Sequence, residues 1–207
     1  MERVLNRTVW HDPRNWFFRA REGEVRDVFW TPGPILDQGS TGSCTGHALA
    51  GLLNIKQKDR QFNHEDALGF YALGTYFDPY QGVWPGDDTG SSGIAVAKGA
   101  TKARVAQAYG HVFGIDHFLR ALSVGPLLVG SEWYDGMFDP ASDGTVAVHG
   151  NYVGGHEYVA IGYDTASEKV WFQNSWGQGW GDGGLFKMNK DDLAFLLGRQ
   201  GDATQVL

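Results

Sequence analysis

Cys44 is the only cysteine among the 207 residues, and it is the side chain best suited to covalent chemistry. Thiol catalysis needs a nucleophile made anionic, a base to activate it, a group to fix that base, and donors for the oxyanion that develops. Cys44 closes the run Gln38-Gly39-Ser40-Thr41-Gly42-Ser43-Cys44, where a helix is predicted to begin. At a helix start, the backbone dipole and free N–H groups favour the thiolate and lower its pKa. From there the Cys44 amide and the Gln38 side chain can point at one carbonyl oxygen. A histidine on a strand of the other half would complete an ion pair across a cleft. The competing reading is plain: a lone free cysteine is commonly a small buried hydrophobe.

The elements that must position these groups follow from pattern. Residues 1–36 read as an irregular arm, with Pro13, Pro32 and Pro34 interrupting any helix. Ser43 is placed to cap the helix from Cys44, whose Ala48, Leu52 and Ile55 share one face. A second helix is predicted near 65–76 on Ala67, Leu68, Tyr71 and Ala72. A third, after the loop QGVWPGDDTGSSG, runs from about 93 to 108 on Ile94, Val96, Ala97 and Ala100. The character changes near Gly125. GPLLVG reads as a buried strand, DPASDGT as a turn, VAV as a short strand, and HEYVAIGY, KVWFQNSW and GGLFKM as three more. Asn189 is placed to cap a short closing helix, with Asp191 and Asp192 at its positive end and Gly198 after it. The reading is α+β: one unit made of the arm, a helical lobe over about 37–112 and a β-rich lobe over about 113–207, with no linker between them.

Three blocks then resemble one family. LDQGSTGSCTGHA resembles the active-site segment of papain-like (C1 family) cysteine peptidases, with the glutamine six residues before the cysteine. GGHEYVAIGYD resembles the strand that bears that family's histidine, which puts His156 in its place. Asn174-Ser175-Trp176-Gly177-Gln178-Gly179-Trp180-Gly181-Asp182-Gly183-Gly184 resembles its N-S-W-G-x-x-W-G-x-x-G block at every fixed position. The resemblance runs from about Leu36 to Met188. It implies a helical lobe and a β-barrel-like lobe with the cleft between them, and peptide-bond hydrolysis through a thioester acyl-enzyme. By the same resemblance Cys44 attacks, His156 shuttles the proton, Asn174 orients the imidazole and Gln38 serves the oxyanion hole. Trp176 would cover the His156–Asn174 bond and Trp180 would wall the leaving-group side. Core packing is the plain alternative for both tryptophans, and a turn residue is the ordinary reading of Asn174 alone.

For substrate binding the resemblance points to Gly90, Ser91 and Ser92 of DDTGSSG as backbone partners of an extended peptide, although either serine also suits a helix N-cap. Glu157 and Gly130 would line the pocket for the side chain two positions before the cleaved bond. There Glu157 favours a basic residue, unless it turns outward or pairs with a nearby Arg or Lys. The departures are Thr41 where the family often has a disulfide cysteine, Thr45 where it often has Trp, and only 43 residues ahead of Cys44, too few for a long inhibitory propeptide. The chain thus looks closest to compact, disulfide-free bacterial or bacteriophage members.

Composition narrows the rest. A formal charge of −7 without clustered Lys or Arg argues against nucleic acid, and no apolar run is long enough to span a membrane. The N-terminus lacks the apolar core of a signal peptide, which suits a cytoplasmic or virion-associated protein. His11, His64, His111, His117 and His149 show no metal-ligand spacing, and His47, one turn after Cys44, is expected to pack inside the helical lobe. No metal and no cofactor are expected. The partner is a peptide or protein substrate: a general peptide, a cell-wall cross-link or a phage structural protein. A virion or a second copy of the chain stays open as a further partner, and so does whatever holds the N-terminal arm. The alternative of another class is a catalytically idle papain-like module used for binding.

Overall fold

A strand that is apolar at nearly every position must be covered on both faces. The computed structural model, which describes residues 3–57 and 59–207 (Arg14 as backbone only), shows a sheet in that situation. Its seven strands are β1 (Val28–Phe29), β2 (Tyr109–His111), β3 (Leu127–Tyr134), β4 (Tyr152–Asp164), β5 (Lys169–Gln173), β6 (Leu185–Asn189) and β7 (Asp202–Val206). All pairs are antiparallel in the order β2-β7-β3-β4-β5-β6, with β1 added to β4. The expected barrel is corrected: β2 and β6 are opposite ends of the path and do not pair among the described residues, so the sheet stays open.

Alternation along the strands sorts side chains into two cores. Leu127, Val129, Tyr158 and Ala160 join an aromatic-rich cluster with Trp133, Phe172, Phe186, Phe118 and Leu193. Leu128, Val159, Ile161 and Val206 turn the other way, onto Leu49, Leu52, Leu53 and Val96. The second group belongs to α1 (Cys44–Lys56) and α3 (Gly93–Lys102), which pack with α2 (His64–Phe77) as one helical layer. The first is covered by α4 (Gly114–Leu122) and α5 (Lys190–Gly198).

Local chemistry explains most boundaries. Asn63 caps α2 by accepting from the Glu65 and Asp66 amides at 2.9 and 3.1 Å, while Asp66 accepts from the Asn63 amide at 2.9 Å. Four expectations are corrected. The third helix stops at Lys102, not near 108: Arg104 takes a left-handed φ of 59°, and the Gln107 and Ala108 amides turn to the Leu207 carbonyl. Ser43 and Asn189 do not cap with their side chains. Ser43 Oγ bonds Thr41 and His47 instead, and Asn189 Oδ1 accepts from Lys169 Nζ. VAV is no strand, since its tie to β6 is the Val146 amide donating to Lys187 O at 2.8 Å beside a single bridge at Thr145. Helix α4 was not anticipated.

Gly46 lets α1 and α2 touch, because a Cβ there would lie 2.2 Å from Ala67 O and 2.7 Å from Tyr71 N. Gly69, on the exposed face of α2, has nothing within 4 Å of such an atom. Two substitutions of one kind should therefore have opposite signs. Gly46→Ala is expected to destabilise by about 2 kcal/mol through overpacking, and Gly69→Ala to stabilise by about 0.5–1 kcal/mol through helix propensity. Urea midpoints measure both, and equal shifts would contradict the close helix contact.

Candidate active site

Cys44 is the first residue of α1 and is fully buried. The amides of Glu157, Asn6 and Thr45 point at its sulfur. The thiol therefore faces β4 at the peptide that follows His156.

The β4–β5 hairpin brings together two residues 18 apart. With Val159 opposite Gln173, His156 and Asn174 fall at the same end of the pair, and His156 Nε2–H donates to Asn174 Oδ1 at 2.7 Å. That oxygen also accepts from the Ser175 amide at 2.8 Å, which fixes the side-chain amide. Trp176 stacks on the imidazole at 4.4 Å and 21°. Trp133 stands edge-on to both rings at 5.1 Å, and Trp180 meets Trp176 at 4.9 Å and 84°. These contacts shut water away from the His156–Asn174 bond, and the tryptophans are core and site at once. His156 Nδ1 is buried with no hydrogen-bond partner.

Gln38 is held from both ends. Its Oε1 accepts from Ser175 Oγ at 2.9 Å, and its Nε2 donates to Thr41 O at 3.0 Å and to Val4 O at 3.2 Å. The second acceptor is informative, because Val4 belongs to the N-terminal arm. A peptide carbonyl thus already sits on the donor expected to serve the oxyanion. The arm continues along the cleft in extended form. Leu5 lies over Gly154, the Arg7 amide donates to Gly155 O at 2.9 Å, and the Thr8 amide donates to Ser91 O at 2.7 Å. Gly90, at φ +76°, leaves room for Asn6, whose carbonyl would lie 1.8 Å from a Cβ there. At the other end Arg3 lies over Trp176 and Trp180, 4.8 and 5.6 Å from the ring centres.

This cover sets the electrostatics. Burial, then the Glu157 carboxylate, pushes the Cys44 thiol up to about 12, against the three amides that pull it down. Burial pushes His156 down to about 4; the Asn174 bond opposes this and Arg3 adds to it. The lowered thiol pKa expected at a helix start is not found: burial raises the thiol and lowers the imidazole.

Glu157 does not turn outward. Its side chain is fully buried, and Arg7 Nε lies 3.7 Å from Oε2. Arg7 also pairs with Asp202 and donates to Gln200 O at 2.9 Å. Gly130 lies between the two acids, opposite Glu157 on β4 and Asp202 on β7. Ser91 Oγ donates to Asp78 at 2.9 Å, and Ser92 Oγ accepts from the Ala95 amide at 3.3 Å as the N-cap of α3. His47 is buried, with Ser43 and His64 each 3.0 Å from a ring nitrogen. Among the described residues no cluster of three His, Cys, Asp or Glu could hold a metal, and no helix is long and apolar enough to cross a membrane. Sequence reasoning missed Asp202 and the arm residues Val4, Asn6 and Arg7. Nothing in the sequence set Arg7 apart, since Arg3, Arg14, Arg19, Arg21 and Arg26 lie in the same arm.

Cys44 starts α1, His156 bonds Asn174, and Gln38 bonds Ser175 next to Asn174. A model of the papain family of cysteine proteases matches residues 37–196, and the chain belongs to that family. Xylellain, a cysteine protease from Xylella fastidiosa, shares the fold at a TM-score of 0.76 and 19% identity, over 100% of this chain and 98% of that one. Bromelain from Ananas comosus, solved with the E64 inhibitor, superposes at a TM-score of 0.55 and 15% identity, over 87% of this chain and 97% of that one. Gamete and mating-type specific protein A of Dictyostelium discoideum is 28% identical over 204 residues; the match covers 82% of this chain and 44% of that protein, so the chain spans less than half its length.

The covered thiol has a direct readout. Alkylation of Cys44 by iodoacetamide is expected to be slow at pH 7 and to speed up only toward the thiol pKa of about 12. Removing residues 1–8 re-solvates the sulfur, lowers that pKa, and should raise the rate at pH 7 by about tenfold or more. Equal rates in the two proteins would show that the arm does not shield the thiol.

Proposed function

We infer that this cysteine peptidase cleaves peptide bonds through a Cys44 thioester and is held latent by its own arm. The observation that carries the reading is the Val4 carbonyl on Gln38 Nε2, whose Oε1 bonds Ser175, the neighbour of Asn174, while the amide of the arm residue Asn6 reaches the Cys44 sulfur. With the arm out, the thiol passes its proton to His156 and attacks a substrate carbonyl. The oxyanion is met by the Cys44 amide and Gln38. His156 returns the proton to the departing amine, and water then hydrolyses the thioester with His156 as base. Asn174 holds the ring and Trp176 keeps the bond dry. Ser91, which pairs with the arm, and Gly90, against which Asn6 packs, would meet a peptide, and Trp180 would wall the leaving-group side. The substrate is a peptide or protein segment able to lie extended between Gly155 and Ser91.

An epoxide-type thiol inhibitor followed by adduct mapping tests the nucleophile, and a fluorogenic peptide tests turnover, both on the chain lacking residues 1–8. Cys44→Ala is expected to abolish both with little change in Tm. His156→Ala should reduce kcat/KM by about 10²–10⁴-fold, and Asn174→Ala by less, because it positions the ring without moving a proton. The reverse order would overturn the role assignment. An uncovered, folded chain that takes no adduct and cleaves nothing would favour the idle binding module.

A further inference from the structure

Three aromatics in a row, Trp16, Phe17 and Phe18, stand 74%, 88% and 53% exposed at the end of a 3-10 turn over Pro13–Phe17. The turn that presents them is firmly framed. Its Asn15 amide donates to Asp12 O, the Phe18 amide to Asn15 O and the Ala20 amide to His111 O of β2, each at 2.9 Å. The polar side chains of the same stretch go inward: Asp12 and Asn15 are buried, and Asp12 pairs with Lys98 of α3. Polarity is thus inverted, with an acid and an amide inside and three large rings in water. Scattered exposed apolar residues need no explanation, but a contiguous set does. Beside the turn, Phe18, Phe77 and Tyr109 line a groove of about 430 Å³ together with Lys98 and Lys102. The charge around the rings has one sign. Pro13–Arg21 holds Arg14, Arg19 and Arg21, α3 holds Lys98 and Lys102, and neither stretch has an acid, in a chain of formal charge −7. The Arg19–Glu22 pair at 3.3 Å is exposed and easily exchanged.

We propose that this face docks on a bilayer containing anionic phospholipid, with Trp16, Phe17 and Phe18 entering the headgroup–acyl boundary and the surrounding lysines and arginines meeting lipid phosphates. Both terms that hold a protein on such a surface are present, apolar side chains to insert and cations to attract. Tryptophan is moreover a residue of membrane–water boundaries. A second copy of the chain fits the face poorly, because it would bring two patches of the same positive sign together. The proposal does not depend on the peptidase reading. The face lies at the Lys102 end of α3, whereas Ser91 and Ser92 of the cleft precede its start. The ten residues of that helix separate the two by roughly 15 Å. Docking therefore sets where the chain sits and leaves the cleft uncovered.

The test floats the full chain with vesicles of phosphatidylcholine alone or mixed in equal parts with phosphatidylglycerol. Wild type should float with the mixed vesicles, bind pure phosphatidylcholine more weakly, and come off the mixed ones as salt is raised. The double variant Trp16→Ser with Phe17→Ser should bind about tenfold more weakly or worse, and Lys102→Glu about fivefold more weakly. Tm should stay put in both, since these side chains are exposed. Bromine-labelled acyl chains should quench the tryptophan emission of wild type more than that of Trp16→Phe. If the double variant does not fold, Lys102→Glu and the quenching decide. Equal binding to the two kinds of vesicle, or binding that the double variant keeps, overturns the proposal. A dimer in sedimentation that Phe17→Ser breaks would assign the face to a second copy and overturn it as well. So would a monomer that never floats, which would leave the face to a protein partner.

Discussion

Strand β4 is covered on both faces, and the consequences of that constraint reach every part of the site. With a period of two, His156 must share a face with Tyr158 and Ala160, and Glu157 with Val159 and Ile161. The first face is the aromatic core, so the imidazole lands among Trp133, Trp176 and Tyr158. The second is the helical layer, so the carboxylate lands beside α3 and opposite Asp202. A slip of one residue would exchange His156 and Glu157 between the two faces. The hydrophobic register thus fixes where both side chains lie before any polar contact is considered.

Polar contacts then refine what the register allows. Gln38 has three ties, to Ser175, Thr41 and Val4, and Asn174 Oδ1 takes two donors. Such buried networks are rigid when fully bonded and expensive when a member is orphaned. Two orphans stand out, His156 Nδ1 and the Glu157 carboxylate. The Glu157 carboxylate still has Arg7 Nε 3.7 Å from Oε2. Asn174 Nδ2 and Trp176 Nε1 are also buried without a hydrogen-bond partner, so the network is only partly satisfied.

Much of this was legible in the sequence, and the pattern of what was not is physical. Cys44, His156, Asn174 and Gln38 lie inside contiguous blocks whose residue types reveal their neighbours. The helices from Cys44 and near 65–76 follow from apolar spacing and caps. Helix α4 was also legible, since Ile115, Phe118, Leu119 and Leu122 keep helical spacing, but Gly114 and the preceding irregular stretch obscured it. Asp202 was not legible: its role comes from β7 pairing with β3, a contact across more than 70 residues with no local mark. The arm was misjudged for a related reason. Its length was weighed, whereas a cleft is closed by six extended residues with the right donors and one cation.

That last point also explains why a short arm suffices. Residues 3–8 are held at many points: backbone bonds at Gly155 and Ser91, Gln38 on the Val4 carbonyl, Asn6 on Asp88 O, Arg3 over Trp176, and Arg7 between two acids. Burial alone would depress the guanidinium, but Asp202 and then Glu157 keep it charged. Burial and then Asp202 push the Glu157 carboxyl well up from its ordinary value, with Arg7 opposing. Arg7 and the two acids therefore hold one another's charge, and the arm is fixed where they meet.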